Sequence, residues 1–119
     1  MIVDDEPDIT TILSSGLKRY GFEVDSYNGP FEALAQFKPN YYTAIILDIR
    51  MPGMNGFELA RKIWAADPSA KICFFSAFEI LETEAKSVFV NHKSHCFIKK
   101  PIMPSELSKH IETHLIRTI

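Results

Sequence analysis

Two periodicities take turns along this chain, and their strict alternation leaves few folds open. Short apolar runs of strand length occur at Ile2-Val3, Phe22 to Tyr27, Ala44 to Leu47, Ile72 to Phe75 and Cys96 to Ile98, each bounded by turn-forming or charged residues. Between them lie helical patterns. Ile9, Ile12, Leu13, Leu17 and Tyr20 follow an amphipathic stripe, with Gly21 where a left-handed terminating residue belongs. Phe31, Leu34, Ala35 and Phe37 give a shorter helix stopped by Pro39, and Phe57, Leu59, Ala60, Ile63 and Trp64 give another that stops near Asp67-Pro68. Leu81, Ala85, Val88 and Phe89 predict a fourth, with Glu79, Glu82 and Glu84 at its amino end. The fifth starts at Pro104-Ser105-Glu106 and runs through Leu107, Ile111 and Leu115.

Strands and helices in strict alternation imply a parallel sheet with helices on both faces, a doubly wound α/β domain. The third and fourth runs are apolar throughout, as strands covered on both sides should be. The first is short, with three residues before Asp4, and reads as a strand whose natural start lies upstream of Met1. At 119 residues, 1 to 119 is expected to be a single domain able to bury a core without metal or disulfide staples. No apolar stretch approaches the ~20 residues of a membrane span, and no secretory leader is evident. Cys73 and Cys96 fit no C-x-x-C pattern and are expected to be small buried hydrophobes of a reduced, cytoplasmic protein.

The net charge of -2 is uneven. Residues 1 to 70 carry six basic and ten acidic side chains, and residues 71 to 119 carry seven and five. Neither half has the dense basic stripe of a nucleic-acid binder, so direct nucleic-acid contact is not expected. The acidic excess concentrates at Asp4, Asp5, Glu6 and Asp8, at the mouth of the first strand.

Four separate pieces carry chemistry, each just after an apolar run: Asp4-Asp5, Asp48, Ser76 and Lys100-Pro101. In an open parallel sheet, strand-end residues from distant parts of the chain share one crevice. Behind Asp48, Met51-Pro52-Gly53-Met54-Asn55-Gly56 turns the chain sharply and presents the carboxylate outward. Three carboxylates in one pocket repel at neutral pH and need raised pKa values or a cation among them. Oxygen donors without His or Cys favour a hard ion such as Mg²⁺.

In order and spacing, these motifs resemble the receiver domain of two-component response regulators, including stand-alone receivers of the chemotaxis kind. Val3-Asp4-Asp5-Glu6-Pro7 is similar to the family's acidic opening, Ile45 to Gly56 (IILDIRMPGMNG) to its phosphoacceptor strand and loop, Phe75-Ser76-Ala77 to its hydroxyl position, and Lys100-Pro101 to its lysine-proline pair. The resemblance covers the whole chain. It implies a flavodoxin-like, five-stranded sheet of order 2-1-3-4-5 with five helices. It further implies Asp48 as phosphoacceptor, with Mg²⁺ held directly by Asp5, Asp48 and the backbone carbonyl of Arg50, and through water by Asp4. Lys100 would stabilise the transferring oxygens and Ser76 would bond the phosphoryl group. Phe97 matches the family's switch aromatic, although a core role on the last strand describes it too. A cis Lys100-Pro101 bond is also implied. Lys99 stands next to Lys100, but adjacent strand residues point to opposite faces, and the family's lysine immediately precedes the proline.

The partners implied are a sensor histidine kinase and a downstream effector protein or output domain. They would be served by a face made of the fourth helix, last strand and last helix, carrying Lys86, Lys93, Lys99, Lys109 and Arg117. A second copy of the chain is a further candidate for that face, whose charges equally suit a solvated surface. Arg50 and Phe78 would flank the path of hydrolytic water and tune the phosphate's lifetime. His110 and His114 lack a third metal ligand nearby, and His92 and His95 read as loop residues. The alternatives are an aspartyl-phosphate phosphohydrolase, which usually carries an acid where this chain has Arg50, and a phosphorylation-independent interaction module. A nucleotide-binding protein of similar architecture is the least favoured reading, because no glycine-rich phosphate loop occurs.

Overall fold

The computed structural model describes residues 1–77 and 96–115. Five strands, β1 (Ile2–Val3), β2 (Ser26–Tyr27), β3 (Ile45–Asp48), β4 (Ile72–Ser76) and β5 (Phe97–Lys99), form one sheet of order β2-β1-β3-β4-β5. Every neighbouring pair is parallel, as the alternation requires. Helices α1 (Pro7–Arg19), α2 (Pro30–Gln36) and α3 (Gly56–Ala66) connect successive strands, and a C-terminal helix (Pro104–His110) continues into a π-type turn over Ile111–Leu115. The helix expected around Leu81 to Phe89 lies outside the described residues. So do Phe78, Lys86, His92, Lys93, His95 and Arg117.

Every residue of β3 and β4 is buried, and single-residue steps sort their side chains between two cores. Ile45, Leu47, Ile72 and Phe74 pack with Ala33 of α2 and with Leu59, Ala60, Ile63 and Trp64 of α3. On the opposite face, Ile46, Cys73, Phe75 and Ile98 pack with Leu13 and Leu17 of α1 and with Leu107, Ile111 and Leu115. Through the first core runs a pile of rings: Phe57 lies 5.0 Å from Phe74, and Phe74 stacks 5.7 Å from Phe97.

Local chemistry fixes the helix ends. α3 opens on Asn55, whose side chain accepts the Glu58 amide at 2.9 Å. Its whole expected apolar stripe is buried. α1 starts on a proline, carries Lys18 and Arg19 in its last turn, and is followed by Gly21 at a φ of 91°.

Two sequence expectations shift here. Within the α1 stripe, Ile12 and Tyr20 are exposed, while Thr10 and Ser14 are buried with Leu13 and Leu17. The face that meets the sheet is centred on Leu13 and Leu17, with Thr10 and Ser14 beside them, and Thr10 tolerates burial because its hydroxyl accepts the Asn28 amide at 2.9 Å and donates to Pro7 O at 3.0 Å. On its flank, Gly16 meets Pro104 so closely that a Cβ would overlap its ring. The second strand is also shorter than Phe22 to Tyr27. Two residues of β1 offer ladder partners only to Ser26 and Tyr27, and Phe22 and Val24 pack on the second core from outside the ladder.

The cysteines require a correction. They are not two separate hydrophobes: Cys73 and Cys96 are joined by a disulfide with a Cα–Cα distance of 4.6 Å. They occupy one face of adjacent strands, each immediately before the paired residues Phe74 and Phe97, so sheet register brings their sulfurs together.

Candidate functional site

Register sets the site. Asp48, the last residue of β3, lies opposite Phe75, and Ser76, the last residue of β4, lies opposite Lys99. The chain steps from there to Lys100, whose amide donates to Ser76 O at 2.9 Å. Asp4 follows β1 directly, its amide bonded to Tyr27 O at 3.1 Å and its carbonyl accepting the Asn28 side chain at 3.0 Å. Four strand ends therefore deliver Asp4, Asp48, Ser76 and Lys100 to one edge of the sheet.

Behind Asp48 the polypeptide reverses into α3 at very close quarters. The Gly56 amide donates to Ile49 O at 2.9 Å, and a Cβ on Gly56 would collide with the backbone carbonyl of Asp48. Glycine is therefore required where α3 abuts the strand end. Gly53, at a φ of 83°, supplies the left-handed step of the same turn.

The Lys100 ammonium is the electrostatic centre. It lies 2.7 Å from Asp4 Oδ2, 3.3 Å from Asp48 Oδ1 and 3.8 Å from Glu6 Oε1. It also sits 4.7 Å from the centre of the Phe75 ring, a cation–π contact on the second-core face of the sheet. Burial opposes the charge on Lys100, but the hydrogen bond to Asp4 and the charges of Asp48 and Asp4 outweigh it and push its pKa upward. Lys99 points the other way and is exposed.

Asp4 and Asp48 are buried, at 0% and 3% relative exposure. Asp4 Oδ1 takes the Glu6 amide at 2.9 Å, while its Oδ2 lies against the Lys100 ammonium. The Asp48 carboxyl is pushed up to about 7 by burial first and by the Asp4 charge second, with Asp5 adding a hydrogen bond and Lys100 pulling the other way. One ammonium does not balance this much buried negative charge. The ligand atoms of Asp4, Asp5 and Glu6 lie within 4.8 Å of one another, and with Asp48 alongside this all-oxygen set has the composition of a hard-cation site. The residues present fit a bound Mg²⁺.

Glu6 is the site residue that the motif reading passed over. Its signal was present as the third acid of the opening run, but its mostly solvated side chain comes near Lys100 only in the fold. Ser76 is buried at the end of β4. Arg50 is exposed, two residues beyond Asp48, and Phe97 is half-buried against Phe74. The Lys100-Pro101 peptide is cis. Of the two histidines on the last helix, His110 is half-buried and the side chain of His114 lies outside what is described.

Comparison with known proteins agrees with this fold. Residues 1–112 match the family model described as the response regulator receiver domain. The chain is 31% identical over 106 residues to the C4-dicarboxylate transport transcriptional regulatory protein DctD of Rhizobium meliloti, covering 89% of this chain and 23% of that one. It is 29% identical over 117 residues to the transcriptional regulatory protein PrrA of Mycobacterium tuberculosis, covering 98% and 49%. The chain thus spans half or less of the length of these curated relatives. Among solved structures, a CheY-like response regulator receiver domain protein from Methanospirillum hungatei superposes with a TM-score of 0.84 at 28% identity, covering 97% of this chain and 90% of that one. No helix among the described residues is long and apolar enough to cross a membrane.

Proposed function

Because the chain belongs to the response regulator receiver domain family, we propose that Asp48 is its phosphoacceptor, taking a phosphoryl group from a sensor histidine kinase in the cytoplasm and so acting as a regulator rather than as an enzyme on an outside substrate. The observation that carries this reading is the Lys100 ammonium, held between Asp4 and Asp48 at the strand ends.

In the transfer, an Asp48 carboxylate oxygen attacks phosphorus, the bond from phosphorus to the donor's imidazole nitrogen breaks, and the imidazole leaves. Such a step asks for positioning and positive charge more than for a strong base. Asp48 must be ionised to attack, and its raised pKa means that burial and Asp4 resist this. Lys100 offsets the resistance, and at 3.3 Å it is within reach of a phosphoryl oxygen placed on Asp48. Asp5, Asp48 and the Arg50 carbonyl would hold Mg²⁺ directly and Asp4 through water, and Glu6 lies beside them. Bound there, Mg²⁺ neutralises charge on the transferring oxygens.

Ser76 would donate its hydroxyl to the new phosphoryl group, and Phe97 would follow by repacking against Phe74. The two arrangements would differ by only a few kcal/mol, so that one phosphate shifts their populations. The response would reach an effector protein, an output domain or a second copy of the chain through the face built on β5 and the C-terminal helix.

The test is intact mass after incubation with acetyl phosphate, with and without Mg²⁺, for wild type and Asp48→Asn. A magnesium-dependent gain of one phosphoryl group, absent in the variant, is expected. No gain in the wild type, together with no beryllofluoride binding, refutes the phosphoacceptor role and leaves an interaction module.

A further inference from the structure

The Cys73–Cys96 bond ties together the two strands that carry the responsive part of the site. Cys73 lies three residues before Ser76 on β4, and Cys96 immediately precedes Phe97 on β5. The same strands are joined by their parallel ladder, and at its two ends the Phe74 amide donates to Cys96 O at 2.9 Å and the Lys100 amide donates to Ser76 O at 2.9 Å. The hydrogen bonds can lengthen or slip, whereas the covalent tie cannot. With the sulfurs bonded, a movement of Ser76 toward Asp48 or a turn of Phe97 must occur about a fixed point one residue away from Phe97.

The fold does not need this bond as a staple. The chain buries two cores, one on each face of its sheet, and a domain of this size reaches stability without cross-links. In a reducing compartment a disulfide is reversible and is characteristically regulatory or catalytic. Access favours one end. Among the described residues β5 is an edge strand, paired with β4 alone, and Cys96 just before it is 7% exposed, against 0% for Cys73. Local opening of an edge uncovers Cys96 first.

We propose that Cys73 and Cys96 form a reversible thiol modification site whose oxidation restrains the response of Ser76 and Phe97 to a phosphoryl group on Asp48. The co-reactant is a low-molecular-weight disulfide, RSSR. The Cys96 thiolate attacks one of its sulfurs and expels RS⁻, leaving a mixed disulfide. The Cys73 thiolate then attacks the Cys96 sulfur and expels the second RS⁻. The protein gives up two electrons and two protons, and RSSR becomes two RSH. Because linkage is reciprocal, a cross-link that disfavours the phosphoryl-bound arrangement is itself disfavoured by the same factor when that arrangement is occupied.

This inference rests on the phosphoacceptor reading, and its test separates the two. The whole chain is equilibrated in buffers of graded oxidised-to-reduced glutathione, with and without Mg²⁺ and beryllofluoride. The oxidised fraction is read by alkylation and intact mass, and beryllofluoride affinity is measured on each form. Bound beryllofluoride is expected to move the half-oxidation point about fivefold or more toward oxidising buffer, with an equal loss of affinity in the disulfide form. A chain carrying both Cys73→Ala and Cys96→Ala should bind beryllofluoride identically in every buffer. An unmoved half-oxidation point with beryllofluoride bound overturns the inference and leaves the phosphoacceptor standing. So do cysteines that stay alkylatable in fully oxidised buffer, or a redox dependence that persists in the double variant. No beryllofluoride binding in either form removes both readings together.

Discussion

Replacing the proposed acceptor by its neutral isostere should stabilise the protein in the absence of divalent cations, by an amount that depends on pH. The Asp48 carboxyl is raised from 3.8 to about 7 by burial and by Asp4. Its folded-state pKa lies above its unfolded value, so between about pH 4 and pH 7 the folded chain holds the proton more tightly than the unfolded chain. Stability therefore falls as pH climbs through that window. At roughly 1.4 kcal/mol per unit, the shift amounts to about 4 kcal/mol of destabilisation above pH 7, of which about 1.5 kcal/mol is already present at pH 5. Asp48→Asn removes that one titration and leaves the others in place. Its advantage over wild type should grow by about 2 to 3 kcal/mol between pH 5 and pH 8, near 10 °C in melting temperature for a domain of this size. Urea and thermal unfolding of both proteins in a chelating buffer would measure it. Millimolar Mg²⁺ at pH 8 should then narrow the gap, because the cation binds the folded wild type far better. An advantage for the variant that is equal at both pH values, or a wild type that is the more stable at pH 8, would refute the argument that buried like charge raises the Asp48 pKa.

Two other substitutions probe the same edge of the sheet. Gly56→Ala forces a methyl against the Asp48 carbonyl, where only backbone could give way; a loss of about 3 kcal/mol is expected in urea unfolding, and a neutral result would show that α3 does not pack as closely as described. Lys100→Met leaves Asp4 facing Asp48 without a cation and should cost about 3 kcal/mol near pH 8 and clearly less near pH 5, where Asp48 takes up a proton instead. A pH-independent loss, read in the same unfolding assay, would contradict the pairing of that ammonium with Asp48.

The elements that were legible in the sequence are those whose pattern is local. Ile45 to Leu47 and Ile72 to Phe75 read as doubly covered strands because nothing polar interrupts them, and Phe57, Leu59, Ala60, Ile63 and Trp64 read as a buried helix face because their spacing admits one stripe. What escaped depends on contacts between distant residues. The burial of Thr10 in place of Ile12 relies on Asn28, far along the chain, bonding its hydroxyl, and the shortness of β2 follows from the two ladder positions that β1 offers. The cysteine bond needed the register of β4 against β5, which spacing alone does not fix. Of the site, Asp4, Asp48, Ser76 and Lys100 were visible as strand-end residues. Glu6 was hidden because a mostly solvated acid beside two others looks like surface charge.

The ring pile in the first core has a meaning for the circuitry of the domain. Phe97 cannot turn without changing the neighbours of Phe74, and Phe74 rests on Phe57, the residue after the glycine that abuts the Asp48 carbonyl. A packed aromatic route thus joins the acceptor strand to the edge strand through α3, alongside the shorter route proposed through Ser76. Two routes in parallel between the same endpoints amount to redundancy: if Ser76 takes its proposed role, removing its hydroxyl would weaken the connection between acceptor and edge without severing it.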